Sequence, residues 1–190
     1  FMMDMYDTPL VKVFVGIFVT GGFLFNFGQF VPSWDSGYYQ LMMTQNIPYK
    51  EYLKSKWWLV VVGTLVSLPL ASFYIFFSWE SYLAIIAGGI YNIGINAHMV
   101  LLSGAYTRTP IDLNSMQRAF GDKKSFNVKT ILLGIPKIFL PVFIFYIGVL
   151  VHSKLMGFIL IGVVGIIGFA LRNLVFGWIE KVYQEEKYDT

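Results

Sequence analysis

The chain has 190 residues, of which 56% are hydrophobic, 18% aromatic and 13% charged, and its mean hydropathy is +0.63. Soluble domains carry about 25% charged residues, so this composition excludes a soluble globular protein, a disordered chain and a nucleic-acid-binding protein. The formal charge of +3 therefore bears on membrane topology, and the absence of cysteine excludes a disulfide framework and thiol chemistry.

Five apolar stretches, each of about the 20 residues that a transmembrane helix needs, predict an all-α, polytopic membrane bundle. The predicted spans are 9–28, 57–77, 82–102, 131–151 and 155–178. We interpret residues 1–190 as a single membrane domain. The first residue is Phe1, and no basic segment of the kind found in signal peptides follows it. We therefore expect the chain to be part of a longer protein.

The basic residues predict the orientation of the bundle. Ten of the 14 lysines and arginines lie in the loops 29–56 and 103–130 and in the tail 179–190, which fall on one side if the spans alternate. The short links on the other side contain only Lys154. Because cytoplasmic loops collect lysine and arginine, we expect both long loops and the C-terminus in the cytoplasm. The predicted location is the bacterial inner membrane.

The loop after the first span predicts a short amphipathic helix on the cytoplasmic side. Ser33 can cap its N-terminus, and Pro48 can open a second helix that leads into span two. Helical spacing places Trp34, Tyr38, Leu41, Met42 and Gln45 on one face. This helix can lie among the lipid headgroups, or it can couple the spans to a cytoplasmic partner. The pattern alone favours neither reading.

Four motifs carry a resemblance to a known family. They are Asn-Phe-Gly-Gln-Phe at 26–30, Ser-Trp-Asp-Ser at 33–36, Asn-Ile-Gly-Ile-Asn at 92–96 and Arg-Thr-Pro-Ile-Asp-Leu-Asn at 108–114. With them, the chain resembles the C-terminal half of an uncharacterised bacterial integral-membrane family described as ABC-permease-like. The segment 35–56, with an acidic-led helix, an Ile-Pro break and a final lysine, is similar to a cytoplasmic segment of ABC-2-type exporter permeases.

This resemblance implies a non-enzymatic permease that is driven by a separate cytoplasmic ATP-binding-cassette ATPase. The chain itself has no phosphate-binding Gly-x-x-x-x-Gly-Lys-Ser/Thr motif, and we expect no cofactor. Membrane lipid and other transmembrane subunits or upstream spans are the other expected partners. The residues that match the coupling helix are Trp34, Asp35, Tyr38, Tyr39, Leu41 and Met42. The alternative is a structural or accessory subunit of a larger membrane, envelope or secretion complex.

Polar residues within the spans are the other candidate functional groups. Asn92 and Asn96 share one helix face near His98, and they can either hydrogen-bond another span or line a substrate path. Helix packing is the favoured role. With two histidines and no cysteine, we expect no metal site. Three cations lie in or near apolar stretches, and we expect them to extend to the interface: Lys12, Lys137 and Arg172.

Small residues and prolines predict how the spans pack. Small residues let transmembrane helices approach closely, and the glycines expected at such contacts are Gly88, Gly89, Gly162, Gly165 and Gly168. Proline interrupts helical hydrogen bonding, so kinks are expected at Pro69, Pro136 and Pro141. No arrangement of nucleophile, base and acid at one depth predicts catalysis.

Overall fold

The computed structural model describes residues 8–26, 28, 48–105 and 128–188, and within them it contains helices and short connections only. The all-α prediction is confirmed for these residues. The helices are α1 (Pro9–Asn26), α2 (Tyr49–Leu70), a 3-10 segment (Ala71–Phe76), α3 (Trp79–Tyr91), a π segment (Asn92–Asn96), α4 (Ala97–Ala105), α5 (Val128–Val151), α6 (Lys154–Ala170) and α7 (Arg172–Tyr188).

Two tight reversals of the chain use serine caps. Oγ of Ser78 accepts a hydrogen bond from the Ser81 amide at 3.3 Å and begins α3, and Oγ of Ser153 accepts from the Met156 amide at 3.3 Å and begins α6. Serine is favoured at this position because its oxygen satisfies an amide that has no partner within the helix. These short turns make α2 antiparallel to α3, and α5 antiparallel to α6.

Among the described residues, four helices are long and apolar enough to cross a membrane: Pro9–Asn26, Lys50–Phe76, Trp79–Ala105 and Gly134–Val151. A fifth candidate is the pair α6 and α7, which meet at a bend of 67°. The structure thus divides the predicted span 155–178 at Leu171. The 17 residues of α6 cover about 25 Å. The charged residues Arg172, Glu180 and Lys181 belong to α7, beyond the bend.

The run Trp79–Ala105, which joins α3, the π segment and α4, is the centre of the bundle. In its most apolar 18-residue window, 72% of the run is buried inside the bundle, whereas the corresponding share is 22% for Lys50–Phe76 and for Gly134–Val151. Helices α1 and α6 both pack against it, and α5 packs mainly against α6. The outer helices therefore expose apolar side chains, including Leu70, Phe76 and Leu150, on a surface that water would not favour.

Two apolar clusters hold the bundle together. One joins the end of α1 to α2, α4 and α7 and includes Trp57, Leu101 and Phe176. The other joins α1, α3, α5 and α6 and includes Ile17 and Tyr91. The π segment lies between them, because α3 contributes to one cluster and α4 to the other.

Polar contacts show which helix ends lie together. Nζ of Lys12 donates to Oε2 of Glu80 at 2.6 Å, so the first residues of α1 and α3 are at the same end of the bundle. At the other end, Oη of Tyr183 donates to the carbonyl oxygen of Leu101 at 2.8 Å and joins α7 to α4. This arrangement agrees with the alternating directions expected for successive spans.

Candidate functional site

The π segment places two asparagine side chains in the middle of the bundle. Asn92 and Asn96 are fully buried, although asparagine is usually found at protein surfaces. π-helical turns are rare and occur frequently at functional sites, because the extra residue in the turn redirects side chains. Asn92, Gly94 and Asn96 are the three residues of the segment that are buried.

Asn92 joins the central run to α1. Its Nδ2 donates to Oγ1 of Thr20 at 2.8 Å and to the carbonyl oxygen of Ile17 at 2.9 Å. Oγ1 of Thr20 in turn donates to the carbonyl oxygen of Gly16 at 2.7 Å. The amide group of Asn92 is thereby held in one orientation, which leaves its Oδ1 facing the next residue of the network.

Asn96 continues this network to α5. Its Nδ2 donates to Oδ1 of Asn92 at 2.7 Å and to the carbonyl oxygen of Lys137 at 3.2 Å. The two asparagines thus hydrogen-bond to each other and to α1 and α5, and a role in lining a substrate path stays a prediction. We call Thr20, Asn92, Asn96, Lys137 and Ser103 the polar row, since hydrogen bonds connect α1, the π segment, α5 and α4 in that order.

Lys137 is the charged member of the polar row. Its side chain is buried, and Nζ donates to Oγ of Ser103 at 2.7 Å, while Ser103 donates to the carbonyl oxygen of Met99 at 2.8 Å. In the structure α5 turns this side chain towards Ser103, one residue past the predicted span 82–102. The expectation that Lys137 extends to the interface stays a prediction. Across the described residues no carboxylate pairs with Lys137.

The other two cations in or near the apolar stretches, Lys12 and Arg172, have different surroundings. Lys12 is buried but reaches the half-exposed carboxylate of Glu80 at the end of the bundle. Nη1 of Arg172 donates to the carbonyl oxygen of Phe169 at 3.1 Å, and its guanidinium lies 4.6 Å from the centre of the Phe169 ring. Arg172 thus stays at the bend between α6 and α7.

Glycines bring helix backbones into contact on both sides of the polar row. A Cβ on Gly165 would lie 2.7 Å from the carbonyl carbon of Ile90, and one on Gly94 would overlap the carbonyl group of Gly165. Gly88 faces the backbone of Gly16 in the same way. The expected packing role is confirmed for Gly88 and Gly165. It is wrong for Gly162, whose added Cβ would meet no atom within 4 Å.

His98 lies away from the polar row, in a group of aromatic rings. Its Nδ1 is 2.8 Å from the carbonyl oxygen of Gly94, and its ring centre is 5.4 Å from those of Trp57 and Phe176. His98 lines a pocket of about 320 Å³ beside the bend, together with Met99, Val164, Ile167, Leu171 and Val175. The sequence predicted His98 as a polar residue of the spans, but not this pocket.

Four buried polar atoms have no hydrogen-bond partner within the part of the chain that the structure describes. They are Nε1 of Trp57, Oη of Tyr91, Oδ1 of Asn96 and Nε2 of His98. Buried polar atoms are usually paired, so each marks a place where a bound group or a rearrangement can supply a partner. Two of the four, on Trp57 and His98, belong to neighbouring rings.

The predicted coupling helix and its residues Trp34, Asp35, Tyr38, Tyr39, Leu41 and Met42 lie outside the described residues. Sequence reasoning missed Thr20 and Ser103, the partners of Asn92 and Lys137. The feature of the sequence that could have identified them is that both are hydroxyl residues within or next to apolar stretches. Such residues usually bond their own helix, as both also do here.

The side chains described here gather no group of three histidine or carboxylate residues that could hold a metal ion. Among curated proteins and among solved structures, none matches the chain. One family model matches it along its full length, residues 1–190, and that model is described as a family of unknown function, DUF5687. On this match, the chain belongs to the DUF5687 family.

Proposed function

We propose that the chain is a multi-pass membrane protein and the permease part of an ABC-type exporter. A separate cytoplasmic ATPase would drive it through the segment from Trp34 to Met43, and the C-terminus would lie in the cytoplasm of a bacterium. The observation that carries the proposal is the polar row, which crosses between helices in the most buried part of an otherwise apolar bundle.

The composition of the helices supports a membrane location. Four candidate spans are apolar over 18-residue windows, and the outer helices expose large aliphatic and aromatic side chains. Such faces are stable against lipid, whereas in water they would drive aggregation. The basic residues of the two long loops and the tail favour the cytoplasmic side for those segments.

Buried polar groups in an apolar bundle support a transport role. The ammonium of Lys137 is buried against Ser103, and packing alone would be better served there by an apolar side chain. Intramembrane ionisable residues often mark substrate pathways. Lys137, hydrogen-bonded to Ser103 and next to Asn96, is therefore the group around which we place the path.

The contacts of α5 indicate which part of the bundle can move. Its second half is in backbone contact with α6, since a Cβ on Gly148 would lie 2.5 Å from Cα of Gly157. Its first half is joined to the central run through the polar contacts of Lys137. Hydrogen bonds between transmembrane helices contribute only about 0.6 kcal/mol each on average. The first half of α5 is thus held less firmly than the second half. A transport path that opens and closes requires a helix segment that can move in this way.

The test combines co-purification with ATPase measurement. The tagged chain is extracted from its native membranes in mild detergent, and mass spectrometry identifies the proteins recovered with it. We expect an ATP-binding-cassette protein in near-equal amount, and ATP turnover that depends on the chain. Replacing Tyr38, Leu41 and Met42 together by alanine should abolish the stimulated turnover without loss of the chain from the membrane.

The control replaces three exposed residues on one face of α7, Leu174, Trp178 and Lys181, by alanine. This variant should keep the stimulated turnover. If both triple variants retain it, the segment from Trp34 to Met43 has no coupling role. If no ATPase is recovered, the permease proposal fails.

The alternative function is that of an accessory subunit in a larger membrane complex. The backbone contacts at Gly16 with Gly88 and at Gly94 with Gly165 favour it, because they fit a rigid element of an assembly. This alternative predicts stoichiometric recovery of other membrane or envelope proteins without an ATPase, and an assembly that is the same with and without ATP. The same purification therefore separates the two functions.

A further inference from the structure

Helix α7 leaves the direction of the bundle at Leu171. It meets α6 at a bend of 67°. The 17 residues of α6 already cover about 25 Å, most of the roughly 30 Å of a hydrocarbon core. On the proposed membrane location, α7 therefore begins close to the cytoplasmic edge of the core and runs more nearly along the membrane than across it.

The contacts between α7 and α4 give the same direction independently. The ring centres of Phe176 and His98 are 5.4 Å apart. Oη of Tyr183 donates to the carbonyl oxygen of Leu101 at 2.8 Å. The two residues of α7 are seven positions apart, about 10 Å along the axis, whereas their partners on α4 are three positions apart, about 4.5 Å. Helices that run side by side would keep equal separations, so α7 crosses α4 steeply.

The inner face of α7 is fixed to the bundle, and its outer face is apolar. Phe176 and Ile179 are fully buried in the cluster with α2 and α4. On the opposite face Leu174 is 74% exposed and Trp178 is 55% exposed, where a helix in water would carry polar residues. Because the buried residues and Tyr183 hold α7 in place, alanine at these two exposed positions leaves the helix attached to the bundle.

One flank of α7 faces the same side as α6. Leu171, Val175, Trp178 and Val182 follow the i, i+4, i+7, i+11 spacing of a single helix face. The first two, together with residues of α6, line the apolar pocket at the bend. Since α6 extends from the bend into the proposed hydrocarbon core, this flank is directed towards the core.

The other flank of α7 is polar. Asn173, Gly177 and Glu180 share the i, i+4, i+7 spacing, and Asn173 is exposed while Glu180 is partly exposed. Helical geometry places these residues opposite the apolar flank, so they point away from α6. An apolar flank and a polar flank on opposite sides suit the boundary between acyl chains and headgroups, where tryptophan is also favoured.

The exposed apolar surface of α6 continues over the bend onto α7. Val163, Ile166 and Ile167 are exposed on α6, and Leu171 and Leu174 are exposed at and beyond the bend. A surface that faces lipid on α6 therefore reaches α7 without an intervening polar zone, and the same lipid can cover both.

From this geometry we infer that α7 is an interfacial helix, which lies along the cytoplasmic face of the bilayer. Leu171, Val175 and Trp178 lie among the lipid acyl chains, and Asn173 and Glu180 lie among the hydrated headgroups. The inference rests on the proposed membrane location and not on the ATPase. It assigns α7 a lipid-binding surface that a second half of a spanning helix would not have.

The test measures the depth of single spin labels in phosphatidylcholine nanodiscs. The chain contains no cysteine, so each label is attached to one introduced cysteine, and its depth follows from accessibility to oxygen and to a water-soluble nickel complex. Labels at Leu174 and Lys181 are seven residues apart on the exposed face. Their depths should differ by about 4 Å, because the bend of 67° leaves only that component of about 10 Å along α6.

The matched control is a pair with the same spacing on α6. Val163 and Ala170 are both exposed and seven residues apart, and their depths should differ by about 10 Å. A label at Asn173, next to Leu174 but on the polar flank, should be more accessible to the nickel complex and less accessible to oxygen than the label at Leu174. All the labelled positions are exposed, and size-exclusion chromatography checks that each labelled chain is folded.

Three results would overturn the inference. A difference of about 10 Å between Leu174 and Lys181 would mean that α7 continues the span. High nickel accessibility at Leu174 and Trp178 would place this face in water, and low accessibility to both reagents would mean that protein covers it. With the label at Val163 in lipid, each result removes only the interfacial helix. A label at Val163 that is accessible to nickel would instead remove the membrane location, and with it both the proposed function and this inference.

Discussion

Nδ2 of Asn92 lies 2.8 Å from Oγ1 of Thr20 and joins two helices whose contacting residues are 72 positions apart in sequence. The same nitrogen donates to the carbonyl oxygen of Ile17, and Oδ1 accepts from Asn96. A single amide group therefore satisfies polar atoms on α1 and on the π segment, and its removal affects both.

Asn92→Leu should lower the free energy of unfolding by about 2 kcal/mol, because three interhelical or local hydrogen bonds of about 0.6 kcal/mol or more are lost. The measurement is unfolding in mixed micelles with increasing dodecyl sulfate. Asn173→Leu is the matched control, since Asn173 is exposed on α7, and it should change stability little. Equal effects of the two variants would show that the bonds of Asn92 do not stabilise the bundle.

Gly165→Ala should destabilise the bundle by more than about 2 kcal/mol, since backbone atoms of Ile90 and Tyr91 lie within 3 Å of the added methyl group and cannot move aside as a side chain can. Gly162→Ala, in the same helix, should be neutral or stabilise by up to about 1 kcal/mol, because alanine favours helix more than glycine does. Thermal melting of the two purified variants tests the difference. Similar melting temperatures would contradict the contact between α6 and the central run.

Lys137→Met should leave the unfolding temperature unchanged or raise it. A buried ammonium that pairs with a hydroxyl costs desolvation energy, and Ser103 keeps its bond to the Met99 carbonyl oxygen when the lysine is removed. On the proposed function, the same variant should lose ATP-dependent transport. Reduced stability would instead assign Lys137 a purely structural role.

Glu80→Gln should destabilise the bundle by about 1 kcal/mol, a value typical of a partly exposed ion pair, because the ion pair between the buried Lys12 and Glu80 is lost. Glu51→Gln is the control, because both carboxylates lie in the first turn of a helix. The difference in stability between the two variants therefore measures the ion pair and not the interaction with the helix dipole. The double variant Lys12→Met with Glu80→Gln should recover stability. If it is less stable than Glu80→Gln alone, Lys12 stabilises the fold through other contacts.

The prediction of helices succeeded where it depended on local pattern. The four long candidate spans overlap the predicted ones, and the serine caps lie at the short turns. The span predicted at 155–178 was divided, because its apolar residues continue past Leu171 into α7 while the helix axis turns by 67°. Hydropathy counts residues along the chain and contains no information on the direction of the axis.

The site was predicted only in part. Asn92, Asn96 and His98 were selected because polar residues are rare in apolar spans, and the structure brings the two asparagines into one network. Lys137 was expected at the interface because it lies near the start of its span. The side chain is directed to Ser103 by the rotation of α5, which depends on how the helices pack together.

Composition and hydropathy determined that this protein is helical, that its helices are long and apolar, and that they are joined by alternately short and basic segments. These properties depend on each residue and its near neighbours. Only the tertiary structure decided that Asn92 meets Thr20, that Gly94 meets Gly165 and that His98 lies beside Trp57. The physical reason is that such contacts depend on how each helix is rotated and how it crosses its neighbours. Those quantities are set by the packing of the whole bundle.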